Sequence, residues 1–437
     1  MRAVFLYLLC TLLTGRVAFA QPGNPLRHLL RADTVRFGRI LRNPAAYRVQ
    51  VLYTQIRRDA HGRPHFRSYG YRVRPREYFY PASTVKLPVV AVALEKINGI
   101  NHIQKEQLSY PLTRESPLQI DSAFAGQTRV VADSSARNGQ PTLGNYMRKV
   151  LLVSDNEAYN RLYEFVGQGE VIRALRNHGL RHTRIISRLA VGDQEPGSRH
   201  TNPFTFFTDS TRRQVLYHQP SSYHSGALPP LRATRLHVGH AWQDGNQRIN
   251  QPFDFTNKNF FPLREQQQVL RALLFPEAVP RRQRFNGLRA ADYQFLRRYL
   301  SLLPRQSRYP AYDSLAYPDN YAKFLLAGGP PAALPAGVRI YNKTGQAYGF
   351  LIDNAYITDE AHGVEFLLSA VIYVNADGVL NDDHYDYDTI GFPFLRDLGR
   401  AVYEWEVRRK QPARPYLRRR FSYESPSYGS APPENTC

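Results

Sequence analysis

The sequence predicts one α/β domain in which an antiparallel sheet is flanked by helices and enlarged by a large insertion. Near the front, β-forming runs at 47–55 and 66–73 are joined by the polar turn Asp59-Ala60-His61-Gly62-Arg63, a hairpin signal. A strongly apolar stretch at 87–94 follows the chain break at Pro81 and reads as a buried helix with Ser83 in its first turn. Toward the other end, 338–341, 350–357 and 364–374 read as three strands, and 393–407 as a helix that closes the domain.

The elements follow in order. Residues 1–20 read as an export signal, with Arg2 as the positive start, an apolar run at 3–13, and Ala18-Phe19-Ala20 before Gln21. That run is too short to span a bilayer, so a periplasmic or secreted protein cleaved after Ala20 is expected, with no membrane span. Apolar positions at Leu26, Leu29, Leu30, Val35, Ile40 and Leu41 give a loose helical pattern over 25–42. A second helical region, 146–166, is interrupted by Ser154-Asp155-Asn156, and 184–203 is an irregular loop with Gly192, Pro196, Gly197 and Pro203. Residues 262–275 and 289–303 are amphipathic helices, the first bounded by Pro262 and Pro276. Around them, 204–261 and 304–335 are rich in Pro, Tyr, His and Gly, which puts the insertion within 204–335. The run Asp382-Asp383-His384-Tyr385-Asp386-Tyr387-Asp388 reads as a solvated acidic loop before the last helix. Beyond Lys410 the chain turns to Pro, Ser, Tyr and Arg418-Arg419-Arg420, so the domain is expected over 21–409 and a disordered basic tail over 410–437.

Composition narrows the function classes. With 437 residues and 43% hydrophobic content the chain can bury a sizeable core. Cys10 lies in the signal and Cys437 at the end, so no intramolecular disulfide is available after cleavage, and the core must supply the stability. A net charge of +22 attracts the protein to anionic envelope polymers. No zinc-finger spacing, RNP motif or basic heptad region is present, so nucleic acid is not an expected partner.

The cations are unevenly divided, 50 Arg against 8 Lys. Arg stays protonated in any protein environment, whereas a buried Lys can lose its proton and act as a base. Lys86 stands three residues after Ser83, on the same helix face and about one turn away. Further along come Ser154-Asp155-Asn156 and, at the end of a strand, Lys343-Thr344-Gly345. Each motif is weak alone. Together, in this order and in these settings, they place two of the eight lysines where an amine is needed rather than a guanidinium.

The set resembles the class A β-lactamase and penicillin-binding-protein group of serine hydrolases, whose Ser-x-x-Lys, Ser-Asp-Asn and Lys-Thr-Gly motifs it matches letter for letter. The resemblance spans roughly residues 25–203 and 335–407. It implies a β-lactamase/transpeptidase-like fold and an acyl-enzyme on Ser83, with Lys86 as base and Ser154 relaying a proton to the leaving nitrogen. It implies an oxyanion hole from the Ser83 and Gln346 N–H groups. Asn156 would bind the substrate's amide side chain, Lys343 and Thr344 its carboxylate, and Gly345 would let the strand approach. No metal or other cofactor is implied.

Two departures leave the turnover open. Glu195, in Gln194-Glu195-Pro196-Gly197, matches the family's deacylating Glu-Pro if several following residues are deleted. Aligning Pro196-Gly197 and Pro203 instead leaves an apolar residue near Ile186 in that position. The stretch between the loop and Lys343 is also longer than the family's. The expected substrate is a small β-lactam or a cell-wall peptide. The reading is an exported β-lactamase, with a D,D-carboxypeptidase or esterase and a non-turnover lactam- or wall-binding sensor as alternatives.

Overall fold

A computed structural model describes residues 23–191 and 196–409. The export signal, the basic tail and Glu195 lie outside these described residues.

The chain opens with α1 (Pro25–Ala32) and α2 (Thr34–Arg42). The loose helical pattern is thus two helices, parted at Asp33, whose side chain accepts the Arg36 N–H at 2.9 Å and caps the second. The hairpin follows as β1 (Gln50–Arg58) and β2 (Pro64–Tyr71), with Asp59 accepting the His61 and Arg63 N–H groups in its turn. A short 3-10 turn, Ala82–Val85, runs into α3 (Lys86–Ile103). Next come β3 (Leu118–Ile120), α4 (Leu143–Val153), α5 (Asn156–Val166) and α6 (Gln168–Asn177).

Beyond the loop, the stretch expected as irregular excursions carries short strands: β4 (Phe204–Phe207), β5 (Val215–Gln219), β6 (His237–Val238), β7 (Ala241–Asp244), β8 (Gln247–Ile249) and β9 (Phe253–Asp254). Then come α7 (Leu263–Leu274), α8 (Ala290–Ser301), β10 (Val338–Ala347), β11 (Phe350–Asp359), β12 (Val364–Tyr373), β13 (Val379–Leu380) and α9 (Phe392–Arg408). Strand β10 runs six residues past its sequence expectation and carries the whole of Lys343-Thr344-Gly345.

The main sheet has the order β10-β11-β12-β1-β2, with every neighbouring pair antiparallel. The N-terminal hairpin therefore docks on the last long strand, with Val51 opposite Ala370 and Thr54 opposite Leu367. Side chains alternate between the two faces of the sheet. On one, Val51, Tyr53, Ile340, Phe366 and Leu368 pack under α1, α2 and α9. On the other, Ile56, Tyr341, Tyr356 and Leu367 join α3, α4, α5, α7 and α8 in the larger core. A third cluster, rich in aromatics, joins 78–82 to Phe253, Phe255 and Phe260 and to Phe350 of β11.

This order leaves β10 at the sheet edge, and an edge strand presents every second N–H and C=O to whatever lies beside it. What lies beside it is the 3-10 turn that carries Ser83.

Candidate active site

Ser83 sits on that turn between the edge strand and α3. Pro81 carbonyl accepts the Thr84 N–H at 3.1 Å and the Thr84 hydroxyl at 2.7 Å, which closes the turn. The chain enters it through Ala82 at φ +45°, a backbone state that costs energy in a non-glycine residue and is found where surrounding structure enforces it. Ser83 is half-buried at the N-terminal end of a long apolar helix, where free N–H groups and the helix dipole favour negative charge.

Lys86 is the first residue of α3 and has no solvent exposure. Its Nζ donates to Asn156 Oδ1 at 2.6 Å, to the Asp155 carbonyl at 3.2 Å and to the Ser154 carbonyl, and lies 3.5 Å from Ser154 Oγ. Burial, with the nearby Lys343 ammonium, holds Lys86 well below the usual lysine range, against a smaller opposing pull from Asp155. Ser83 Oγ has no hydrogen-bond partner among the described residues, an arrangement common before substrate arrives.

Ser154 owes its position to the break between two helices. It ends α4 in the left-handed region at φ +62°, and Asp155 then caps α5 by accepting the Ala158 N–H at 2.8 Å. One short tripeptide thus stops a helix, starts another, and turns Ser154 and Asn156 toward the cleft. Lys343 Nζ reaches Ser154 Oγ at 2.7 Å and the Thr344 carbonyl at 3.0 Å. Burial, and the buried Lys323 cation behind it, push Lys343 down to about 7, although Asp353 pulls the other way.

Gly345 marks the closest approach of strand and turn. A Cβ built there would stand 2.8 Å from the Pro81 carbonyl oxygen, 3.1 Å from Ala82 Cβ and 3.2 Å from Ser83 N. Backbone atoms cannot swing aside, so the strand would have to back away from Ser83. Gly345→Ala is accordingly expected to cost about 1–3 kcal/mol, read as a lowered unfolding midpoint in urea.

Ser83, Ser154, Asn156, Thr344, Gly345 and Gln346 line one cleft of about 600 Å³. Lys86 and Lys343 lie beneath it, in reach of Ser154. The arrangement joins a hydroxyl at a helix start, two buried amines of lowered basicity and a second hydroxyl between them. Such a set can pass a proton from one oxygen to another atom without solvent. The one sequence candidate not brought into this picture is Glu195, outside the described residues. Ile186, the apolar alternative, is buried, with its N–H donated to Asn259 Oδ1 at 2.7 Å. Of the same loop, Leu189 is clamped to α5, its N–H and C=O both bonded to the Asn160 amide at 2.8 and 2.9 Å.

Two parts of the site escape sequence reasoning. Lys323 is buried behind β10, donating to Asn342 Oδ1 at 2.6 Å and to the Leu300 and Ile340 carbonyls at 2.8 and 2.9 Å. Asn342 in turn donates to Asp353 at 2.8 Å, and Asp353 accepts the Phe324 and Leu325 N–H groups. This network ties the segment bearing Tyr321 and Phe324, one wall of the cleft, to the strand bearing Lys343. The scarcity of lysine was a signal for it, since Lys323 is another of the eight. The other missed part is the stretch of lining contributed by Asn381, Asp383, Tyr385 and Tyr387.

Comparison with known proteins gives one family. Residues 43–213 match the β-lactamase enzyme family. No curated protein matches the chain. Among solved structures, a β-lactamase from Xanthomonas campestris is 18% identical with a TM-score of 0.46, covering 87% of this chain and 98% of its own. A β-lactamase from Burkholderia vietnamiensis is 17% identical with a TM-score of 0.44, covering 90% and 100%. A class A β-lactamase from Mycobacterium abscessus is 17% identical with a TM-score of 0.42, covering 87% and 97%. The likeness to the β-lactamase enzyme family thus lies over residues 43–213, which carry two of the three motifs, Ser83 to Lys86 and Ser154 to Asn156, and the third, Lys343 to Gly345, meets them at one cleft.

Proposed function

We propose that the protein is an exported serine hydrolase of the class A β-lactamase type, which opens β-lactam amides through an acyl-Ser83 intermediate. The observation that carries this reading is the pair of buried lysines flanking Ser154, with Lys343 Nζ 2.7 Å from its hydroxyl and Lys86 Nζ 2.6 Å from the adjoining Asn156.

Neutral Lys86 takes the Ser83 proton as Ser83 Oγ bonds to the lactam carbonyl carbon. The negative charge formed on the carbonyl oxygen is met by the Ser83 and Gln346 N–H groups. The carbon–nitrogen bond then breaks. The nitrogen takes a proton from the Ser154 hydroxyl, which is replenished from the protonated Lys86. Water later cleaves the Ser83 ester. Throughout, Lys343 and Thr344 hold the substrate carboxylate, and Asn156 its amide side chain.

The lysines set opposite pH requirements. Lys86 must be neutral to accept a proton, so activity rises with pH as it deprotonates. Lys343 must be charged to hold a carboxylate, so kcat/KM is expected to fall as pH rises through about 7. Lys343→Arg keeps its charge at any working pH and should remove that falling limb from the kcat/KM profile. A limb unchanged in Lys343→Arg would assign it to another group.

Deacylation separates the remaining readings. Glu195 is the candidate base for it. The described residues that flank Glu195 in sequence, Leu189, Ala190, Val191, Pro196 and Gly197, line a second cavity together with Asn156. The discriminating experiment follows benzylpenicillin hydrolysis and adduct lifetime together. A short-lived adduct with product accumulating, slowed in Glu195→Gln, supports the lactamase. A long-lived adduct without turnover favours a wall D,D-carboxypeptidase or a lactam sensor.

A further inference from the structure

The segment between β12 and α9, read from sequence as a solvated acidic loop, forms a wall of the Ser83 cleft. It is fastened from two sides. Strand β13 pairs in parallel with β7 of the insertion, Val379 opposite Ala241 and Leu380 opposite Trp242. Beside that pair, the His240 N–H donates to the Gly378 carbonyl at 2.8 Å, and Gly239, at φ +74°, has no room for a Cβ against the same carbonyl. On the other side, the Gly349 N–H in the β10–β11 turn donates to Tyr387 Oη at 2.8 Å. Tyr385 Oη accepts the Asn381 N–H at 2.8 Å. The insertion therefore fixes this wall relative to Gln346.

The acidic groups of the wall are not alike. Asp377, Asp382 and Asp386 each accept a backbone N–H, from Val379, His384 and Ala376. Asp383 lines the cleft, projects from a left-handed residue at φ +60°, and has no hydrogen-bond or ion-pair partner among the described residues. Asp383 is exposed, and it is the one carboxylate among the described residues that line this cleft. The rings of Tyr348, Tyr385 and Tyr387 line the cleft with it, Tyr385 and Tyr387 having their centroids 5.1 Å apart. A carboxylate that shares a cleft with tyrosine rings suits an alkylammonium, which is attracted by the charge and by the ring quadrupoles alike.

We infer that Asp383, with Tyr348 and Tyr385, forms a subsite for a primary ammonium group on the substrate arm that runs past Gln346 toward the β10–β11 turn. The inference rests on the reading of Ser83 as nucleophile, and it gives the insertion a role: it braces the wall that selects the substrate. Two sources share this chemistry, a β-lactam with an amino-bearing side chain and a wall peptide with a diamino acid.

The test compares acylation of Ser83 by ampicillin, which carries a primary amine, with that by benzylpenicillin, its counterpart without one. In the unaltered protein ampicillin should acylate faster by about tenfold at low salt. That ratio should fall toward one in Asp383→Asn and be partly restored in Asp383→Glu. A loosened wall would slow both drugs and leave the ratio in place. An unchanged ratio in Asp383→Asn, or a wild-type preference for benzylpenicillin, overturns the inference. If neither drug acylates Ser83, the nucleophile reading fails instead. The subsite is then read by the thermal shift from a peptide ending in D-alanine and bearing a free lysine amine, against its N-acetylated form. A shift specific to the free amine and lost in Asp383→Asn sustains the subsite and points to wall peptide, and equal shifts overturn it.

Discussion

Ser83→Ala is expected to abolish covalent labelling by penicillins and to lower any hydrolysis by a factor on the order of 10⁶, because the acyl-enzyme route loses the atom that carries it. Its unfolding midpoint should barely move. The Ser83 side chain is half-buried and has no hydrogen-bond partner among the described residues, while the turn it stands on is closed by Thr84 and Pro81. Ligand binding without a bond should survive, since Lys343, Thr344 and Asn156 remain. The check is a fluorescent penicillin gel on the variant, alongside equilibrium binding of the same drug.

Lys86→Arg is the second large effect. Arginine keeps the positive charge but cannot give up its proton, so the variant removes the base and spares the local charge. Acylation should slow by about 10²–10⁴, the usual worth of a general base. The enclosure of Lys86 by the Ser154 and Asp155 carbonyls and Asn156 leaves little space for a guanidinium, so some stability should be lost as well. Single-turnover acylation on protein shown to be folded by circular dichroism separates the two. A rate close to wild type would remove Lys86 as base.

The parts of this molecule legible in its sequence are those set by local chemistry. The turn at 59–63 and the apolar run of α3 announce the hairpin and buried helix directly. Ser154-Asp155-Asn156 was visible as a helix interruption because a left-handed terminator and an N-cap stand side by side there. The cleft's two outer walls were not legible. The segment bearing Tyr321 and Phe324 is held through Lys323 and the Phe324 N–H, whose partners Leu300, Ile340 and Asp353 stand 17 to 29 residues away at the end of α8, on β10 and on β11. Asp383 is placed by a two-residue strand that pairs with β7, some 138 residues earlier. Such short strands carry too little alternation to be read, and Trp242 and Leu380 of the pair pack into an aromatic-rich cluster drawn from distant parts of the chain. The acidic run reads as a solvated loop, and Asp383 and His384 are indeed exposed, yet Asp383, Tyr385 and Tyr387 also line the Ser83 cleft.

The central claim is that Ser83 opens the lactam by forming an ester. The measurement that bears on it most directly is the intact mass of the purified protein, taken seconds after mixing with benzylpenicillin. Because the leaving nitrogen stays tethered in a lactam, the account predicts a gain equal to the whole drug, mapped to the peptide holding Ser83 and absent from Ser83→Ala. No mass gain at any time or dose, with no product formed, or a gain that persists in Ser83→Ala, would contradict it.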